Sequence, residues 1–299
     1  MSNIWVLGSA AWDDVFEVDH LPVAGGRAVA TSLGRRAGGS TGNIARALSS
    51  AGHRVALVMQ VGEDALGAAL LDEVTSWGIE TEHVRRHGDC TPESLIFLDA
   101  NGERTIVVLQ KECASTVPVP YAAISDADCV YVGCYGDFEP ELVPFLRRSS
   151  ALVGTAVPTP QSAGAWFAHI VIGSATEFPR EWLDDPYGSV CRHTGAGTEL
   201  QWVVVTHGPL GATAYGRHRA THIPPVSAAA DGDSTGAGDS FAAGLLHGLL
   251  QGHDVGTAGR LGARWGAAAL ALPQSVPPRW AQLDLGDPAG DWHRRLSDA

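Results

Sequence analysis

The residues best suited to chemistry lie in one late, glycine-rich segment, residues 233–241, which reads Asp-Ser-Thr-Gly-Ala-Gly-Asp-Ser-Phe. Gly236, Ala237 and Gly238 are small residues at a predicted helix start, so their backbone N–H groups can approach an anion closely. Asp239 falls in the first helical turn, where the helix dipole favours an ionised carboxylate. Such a carboxylate could accept the proton of an attacking hydroxyl in phosphoryl transfer. A glycine-rich turn, with Asp239 as a simple helix-terminal charge, explains the spacing equally well.

Three other segments carry residues that could bind ligands. Residues 37–43 form a second glycine-rich stretch before a helix, and Asn43 offers a donor and an acceptor to a polyhydroxylated ligand. Asp13 follows the first predicted strand, at the sheet edge where α/β folds bind ligands. Residues 206–211 follow a later strand and could contact nucleotide phosphates. A helix N-cap, a solvated turn and a β-turn are the simpler interpretations of these three segments.

The composition excludes several classes of protein. A net charge of -13 argues against a nucleic-acid partner. Lys111 is the only lysine and follows Gln110, so the Gly-Lys-Ser/Thr of a P-loop is absent. The five cysteines are scattered, which indicates free thiols in a reducing compartment and no zinc site. No apolar run reaches the roughly 18–20 residues of a membrane span, and the N-terminus lacks the pattern of a signal peptide, so we expect a cytoplasmic protein.

The elements that would position these residues follow from the apolar pattern. Short apolar runs predict strands at 4–8, 54–61, 129–133, 152–156, 170–173 and 202–206. Apolar residues at helical spacing predict helices around 44–51, 66–77, 239–250 and 257–272. Strands and helices that alternate in this order predict a mostly parallel sheet covered on both faces.

Two stretches depart from that alternation. Residues 15–33 mix alternating residues with turn signals, and residues 94–98 and 105–109 flank Asn101-Gly102, a strong hairpin signal. We interpret them as a small β appendage that forms a candidate lid. A pair of surface hairpins is the alternative. We therefore expect one α/β domain over 1–299, with a lid built from about 13–36 and 91–110.

Taken together, these segments resemble the ribokinase/PfkB carbohydrate kinase family over nearly the whole chain. Residues 233–241 match the family's C-terminal signature, which is highly specific. Residues 38–52, followed by residues 61–67, are similar to its N-terminal signature. The resemblance implies a Rossmann-like three-layer α/β/α fold with a small β-sheet lid, ATP and Mg²⁺ as cofactors, and a homodimer formed through the lid.

The resemblance also implies a role for each matching residue. It implies Asp239 as the base, with Gly236, Ala237 and Gly238 as the anion hole. The residues implied to bind the phosphoryl acceptor are Asp13, Gly39, Asn43 and Arg104. Those implied to contact the nucleotide are Thr206, Gly208, Gly211, Ser174 and Glu177, with Glu177 also reaching Mg²⁺ through water.

The chain departs from the family pattern at two places. Relatives usually carry Asn-x-x-Glu where this chain has Ser174-Ala-Thr-Glu177, so a shorter side chain replaces the asparagine. Many relatives also bind a monovalent cation. Asp233 and Ser275 fit that site here, but the loop at 272–277 looks shortened. The resemblance therefore implies K⁺ only as a possible activator.

Three functions follow, in order of preference. The first is an ATP-dependent kinase for a hydroxymethyl group of a sugar or sugar-like molecule. The second is a nucleoside kinase, for which Trp12 and Phe16 could supply an apolar wall for a base, although core packing explains these residues better. The third is a non-catalytic ligand sensor, which only the serine at position 174 favours.

Overall fold

The computed structural model describes residues 1–88, 91–99, 104–109, 116–134, 138–158, 166–195, 199–227, 236–270, 272 and 277–283. Asp233 and Ser275 lie outside these residues. Within them the strands are β1 (Asn3–Leu7), β2 (Ala11–Val18), β3 (Ala30–Gly38), β4 (Arg54–Val58), β5 (Gln60–Val61), β6 (Arg85–Arg86), β7 (Glu93–Leu98), β8 (Arg104–Leu109), β9 (Cys129–Val132), β10 (Leu152–Thr155), β11 (Ile170–Ser174), β12 (Trp202–Thr206), β13 (Ala212–Tyr215) and β14 (Ala220–Ile223).

The α-helices in the same residues are α1 (Ser40–Ser50), α2 (Ala65–Ser76), α3 (Tyr121–Ile124), α4 (Leu142–Arg148), α5 (Pro186–Thr194), α6 (Ala237–Leu250) and α7 (Val255–Leu270). Short 3₁₀ turns lie at Arg180–Trp182, Gly208–Leu210 and Trp280–Gln282. The four predicted helices correspond to α1, α2, α6 and α7. The short helices α3, α4 and α5 were not predicted. No described helix has the length and apolar character needed to cross a membrane.

The main sheet has eight strands in the order β14-β13-β12-β11-β10-β9-β1-β4. Neighbours from β12 to β4 pair in parallel, which confirms the predicted mostly parallel sheet. β13 and β14 continue the sheet as an antiparallel edge that was not predicted. β4 lies on one side of β1, whereas β9 to β12 lie on the other, so the strand order reverses beside β1. The carboxyl ends of the strands form a crevice at such a reversal.

The parallel strands are apolar on both faces because helices cover both. In β1, Ile4 and Val6 join the core cluster that contains side chains of α1, α6 and α7. Trp5 and Leu7 point the other way, into the cluster that contains side chains of α4 and α5. Continuous apolar runs are the pattern of strands buried on both sides. The three-layer α/β/α architecture is thus confirmed.

A second, four-stranded sheet in the order β3-β2-β7-β8 begins where β1 ends. β7 and β8 pair antiparallel from Glu93↔Leu109 to Leu98↔Arg104, which confirms the predicted hairpin strands. The Asn101-Gly102 turn itself lies outside the described residues. Along β2, Asp13 and Val15 point to one face of this sheet, whereas Trp12 and Asp14 point to the other.

Candidate active site

The carboxylate of Asp239 is held between two helices that begin at the same point of the fold. Asp239 is the third residue of α6. Its Oδ1 accepts a hydrogen bond from the hydroxyl of Ser40 at 2.6 Å, and its Oδ2 accepts one from Nδ2 of Asn43 at 2.8 Å. Ser40 and Asn43 lie one turn apart on α1, so their side chains are neighbours on that helix. The carboxylate is therefore fixed in orientation by two separate donors.

The start of α6 becomes open to solvent at Gly238. Gly236 adopts φ 78° as the N-cap residue, and no described side chain caps the helix. The first N–H groups of a helix have no intrahelical acceptor. Gly238 is exposed, and a Cβ built there would meet no atom within 4 Å. Ala237 and Gly238 can therefore present their N–H groups to an anionic ligand next to Asp239.

Opposing influences act on the pKa of Asp239. Burial among protein atoms raises the pKa, and the negative charge of Glu177 raises it further. The hydrogen bonds from Ser40 and Asn43 lower it, as does the positive charge of Arg104. The net direction is upward, so the pKa lies above the ordinary aspartate value. A carboxylate with a raised pKa is a better proton acceptor than an ordinary one.

A second carboxylate, that of Asp13, shares this environment. Asp13 is only 6% exposed, and burial raises its pKa to about 6. Arg36 and a hydrogen bond from the Gly39 backbone lower the pKa, whereas the negative charge of Asp239 raises it. A Cβ on Gly38 would approach both the Asp13 carboxylate and, at 3.9 Å, Oδ1 of Asn43, and Nδ2 of Asn43 bonds Asp239. Asp13 on β2 and Asp239 on α6 therefore lie on either side of Asn43.

The glycines before α1 allow this close packing. Gly39 adopts φ 80°, and a Cβ there would lie 3.0 Å from the backbone nitrogen of Ala11. A Cβ on Gly38 would overlap the carboxylate of Asp13. The backbone of this loop therefore packs closely against the connection between β1 and β2. Only glycine permits this close approach at both positions. Thr41 fastens the same corner, because its hydroxyl bonds the backbone of Ser9 at 2.9 Å.

The residues predicted to contact the nucleotide lie at the ends of two neighbouring strands. Ser174 and Thr206 are paired in register at the carboxyl ends of β11 and β12. Glu177 accepts a hydrogen bond from the backbone nitrogen of Ser174 at 2.7 Å. Tyr131 on β9 is buried, and burial together with the charges of Asp239 and Glu177 raises its pKa.

The loop after β12 contains two glycines with different surroundings. Gly208 adopts φ 55°, and a Cβ there would meet nothing within 4 Å. Gly211 adopts φ 88°, and a Cβ there would overlap the carbonyl oxygen of Ile223 and lie 2.8 Å from the nitrogen of Pro225. Gly208 therefore faces open space, where a ligand could approach, whereas Gly211 packs against the end of β14.

The structure brings together most of the predicted acceptor and base residues. Asp13, Gly39, Asn43 and Asp239 are joined by the contacts above, and the charge of Arg104 acts on Asp239. Ser40 was not among the predicted site residues, and its bond to Asp239 was missed. The Ser-Thr-Gly-Asn spacing at the start of α1 was a signal for it, because residues three apart on a helix share a face.

The aromatic wall suggested for a nucleoside base is not found at this site. Trp12 packs against the core cluster of the main sheet, and its indole nitrogen donates to the carbonyl of Leu66 at 3.0 Å. Phe16 stacks on Phe97 of β7, with ring centroids 5.6 Å apart. Both residues point to the face of β2 opposite Asp13. The preference for core packing at Trp12 is confirmed.

Comparison with known proteins agrees with this geometry. A model of the pfkB family carbohydrate kinases matches residues 1–143 and 167–280. The ATP-dependent ribose-1-phosphate kinase of Halopiger xanaduensis is 25% identical over 303 residues, which cover 94% of this chain and 100% of the relative. Deoxyribokinase of Salmonella typhi is 24% identical over 271 residues, which cover 85% of this chain and 87% of the relative.

A solved structure has the same fold. The nucleoside kinase of Burkholderia thailandensis in complex with inosine superposes with a TM-score of 0.74 at 24% identity, covering 94% of this chain and 95% of that chain. The family match extends over most of the sequence, including both segments that meet at Asp239. The chain therefore belongs to the pfkB family of carbohydrate kinases, and its activity is the ATP-dependent phosphorylation of a sugar or a sugar-like molecule.

Proposed function

We propose that this enzyme transfers the γ-phosphoryl group of ATP to a hydroxymethyl group of its acceptor, with Asp239 as the general base. One observation carries the proposal. The Asp239 carboxylate is oriented by Ser40 and Asn43 and lies in the first turn of α6, beside backbone N–H groups that no described side chain caps. A proton acceptor and a site for an anion are thus adjacent, which is the arrangement that phosphoryl transfer requires.

In this mechanism, the acceptor hydroxyl donates its proton to Asp239 as its oxygen attacks the γ-phosphorus. The bond from that phosphorus to the β-phosphate oxygen breaks, and ADP carries away the electron pair. Negative charge on the transferring group is stabilised by the N–H groups at Gly236, Ala237 and Gly238. Asp13, Gly39, Asn43 and Arg104 bind the acceptor. The four-stranded sheet β3-β2-β7-β8, the lid sheet, closes over it and excludes water, which limits ATP hydrolysis.

The nucleotide lies along the ends of β11 and β12, against Ser174, Thr206 and Gly208, and Gly211 holds this loop in shape by packing against the end of β14. Glu177 would hold Mg²⁺ through water, and the ion would neutralise charge on the phosphates. Glu177 fits such an ion, because its carboxylate is a hard oxygen donor and is exposed beside the carboxyl end of β11. Asp233 and Ser275 remain a prediction for K⁺.

The lid sheet also has the features of a dimer interface. β8 is an edge strand of that sheet, and four consecutive side chains on it, Ile106, Val107, Val108 and Leu109, are 44%, 45%, 70% and 38% exposed. An exposed apolar edge is a ready template for pairing with another strand. We propose that the partner is a second copy of this chain, because identical edges are self-complementary about a two-fold axis. We place the enzyme in the cytoplasm, where ATP is available.

A panel of acceptors tests the proposal. ADP release is measured with saturating MgATP and, in turn, D-ribose, 2-deoxy-D-ribose, D-fructose, D-ribose 1-phosphate and inosine, and ³¹P NMR identifies the ester formed. We expect a sugar or sugar phosphate to give the highest kcat/KM, because the apolar residues suggested for a base pack elsewhere. Release of ADP without an ester product, or with equal rates in Asp239→Asn, would overturn the proposal.

A further inference from the structure

The two helices that meet at Asp239 are joined a second time, far from the site. His53 lies just beyond the end of α1, and His247 lies in the last turn of α6. Nε2 of His53 is 2.8 Å from Nδ1 of His247, and the two residues are 6% and 9% exposed. His247 is two turns along α6 from Asp239, or about 12 Å at 1.5 Å per residue.

The hydrogen bonds around this pair fix where its protons lie. The backbone N–H of Ser2 donates to Nδ1 of His53 at 3.2 Å, so that nitrogen carries no proton. Neutral His53 therefore carries its proton on Nε2 and donates it to Nδ1 of His247. A further proton on either ring would set two N–H groups against each other, at Ser2 or between the rings. Both bonds persist only while both rings are neutral.

Trp280 contacts both His247 and the end of α1. The ring of Trp280 lies 4.3 Å from that of His247, and its backbone nitrogen donates to the hydroxyl of Ser50, the last residue of α1, at 3.1 Å. Trp280 also packs against Trp265 of α7. The ends of α1 and α6 are thereby held in one cluster, in which the two histidines are buried and Trp280 is half-buried.

The charged groups that act on the pair favour its neutral form. Burial, the positive charge of His53 and His253, and the N-terminal amino group lower the pKa of His247 to about 4. Burial and the N-terminal amino group also lower the pKa of His53, and only Asp128 opposes them. At neutral pH both rings are therefore uncharged.

We propose that His53 and His247 are positioning residues for Asp239, which fix α6 against α1 so that Ser40 and Asn43 keep hold of the carboxylate. This proposal rests on the role of Asp239 as the base. The hydrogen bond between the rings sets the spacing and rotation of the two helices at one end. With the two helices fixed in this way, Ser40 and Asn43 at the other end already lie within hydrogen-bonding distance of Asp239.

Two substitutions at one position separate positioning from folding. In His247→Asn the amide oxygen takes the place of Nδ1 and still accepts from His53, whereas His247→Leu leaves the donor of His53 unpaired. With MgATP and the best acceptor of the panel at pH 8, we expect kcat to fall about 10-fold in His247→Leu and to stay within about 2-fold of wild type in His247→Asn. The matched control is Leu146→Ala, a fully buried residue of α4 on the opposite face of the sheet.

Leu146→Ala should lower the melting temperature at least as much as His247→Leu and leave kcat unchanged.

A double-mutant cycle measures an energetic coupling that a purely structural role of His247 would not produce. Asn43→Ala should cost less in the His247→Leu background than in wild type, because the same contact is already weakened. Wild-type kcat in His247→Leu, or full additivity with Asn43→Ala, would overturn the positioning role. Equal activity in wild type and Asp239→Asn would instead overturn the proposed base.

The pH dependence of stability supplies an independent check. A histidine whose pKa is lowered by folding contributes its full stabilisation at pH values above the pKa of the unfolded chain, about 6.5. This stabilisation is lost as the pH falls from about 6.5 towards the folded-state pKa of about 4. The melting temperature of His247→Asn should therefore fall less than that of wild type between pH 8 and pH 5. The exposed His222→Asn is the control and should follow wild type. An identical fall in wild type and His247→Asn would contradict a buried, neutral pair.

Discussion

Nδ2 of Asn43 donates a hydrogen bond to Oδ2 of Asp239 across 2.8 Å, although the two residues are 196 positions apart in the chain. The bond connects the first turn of α1 with the first turn of α6. It occupies one oxygen of the carboxylate and leaves that oxygen's remaining lone pair for an acceptor hydroxyl. The predictions below follow from this contact and from the groups around it.

Replacement of Asp239 by Asn should remove most of the turnover. The amide has nearly the same shape but cannot take up the acceptor proton, so we expect kcat to fall about 10²–10⁴-fold. The dissociation constant for MgADP, measured by calorimetry, should stay within a few-fold of wild type, because the backbone groups of α6 are unchanged. A variant that retains full kcat would exclude Asp239 as the base.

Loss of either donor to Asp239 should change the pH profile of kcat. The bonds from Ser40 and Asn43 lower the pKa of Asp239, so Ser40→Ala and Asn43→Ala should raise it. The acid limb of the kcat profile should therefore move to higher pH in both variants. Asn43→Ala should also raise the acceptor KM, whereas Ser40→Ala should not. Acid limbs that coincide with that of wild type would show that these bonds do not act on the base.

The substitution Gly238→Ala should make the protein more stable and at the same time less active. Because a Cβ on Gly238 meets nothing within 4 Å, Gly238→Ala fits without strain, and it should stabilise α6 by about 0.5–1 kcal/mol. The added methyl group would project into the space proposed for the phosphoryl group. We therefore expect a higher melting temperature together with a fall of about 10-fold or more in kcat/KM. Unchanged kinetics would place the phosphates elsewhere.

Acceptor binding should weaken below about pH 6, where Asp13 becomes protonated. An ionised carboxylate accepts hydrogen bonds from sugar hydroxyls, and protonation removes part of that capacity. The wild-type acceptor KM should therefore rise as pH falls through 6. In Asp13→Asn the KM should be high and independent of pH in this range.

The same variant should be more stable than wild type at pH 8. The pKa of Asp13 is raised from 3.8 in the unfolded chain to about 6 in the folded one, so its stabilising effect is lost as pH rises through 6. Asp13→Asn removes the buried charge and should gain up to about 3 kcal/mol at pH 8, which urea unfolding can measure. A less stable variant would mean that the carboxylate is well compensated.

A charge on the exposed edge of the lid sheet should dissociate the proposed dimer. Val108 is 70% exposed, so Val108→Lys should leave the fold of one protomer intact. Light scattering coupled to gel filtration should give the mass of one chain for this variant and of two chains for wild type. Ala122→Lys, on the exposed surface of α3, is the control. A wild-type protein that runs as a single chain would refute the interface.

Much of the fold could be predicted from the pattern of the chain. The strand at Trp202–Thr206 was predicted with its observed bounds, and α6 was predicted to within two residues at its start. Apolar runs and helical spacing are local signals, and burial on both faces makes them strong. The edge strands β13 and β14 were missed because they are short, pair antiparallel and lie partly exposed, so their pattern is weak.

The sequence by itself determined the chemistry available to this protein: a glycine-rich helix start with Asp239 in its first turn, and a second such start with Asn43. These features are local, because helix geometry alone sets which groups lie in one turn. Only the tertiary structure decided that Ser40, Asn43 and Asp13 converge on Asp239. That convergence depends on how β1, β2, α1 and α6 pack across the sheet, and no local signal encodes contacts between residues almost 200 positions apart.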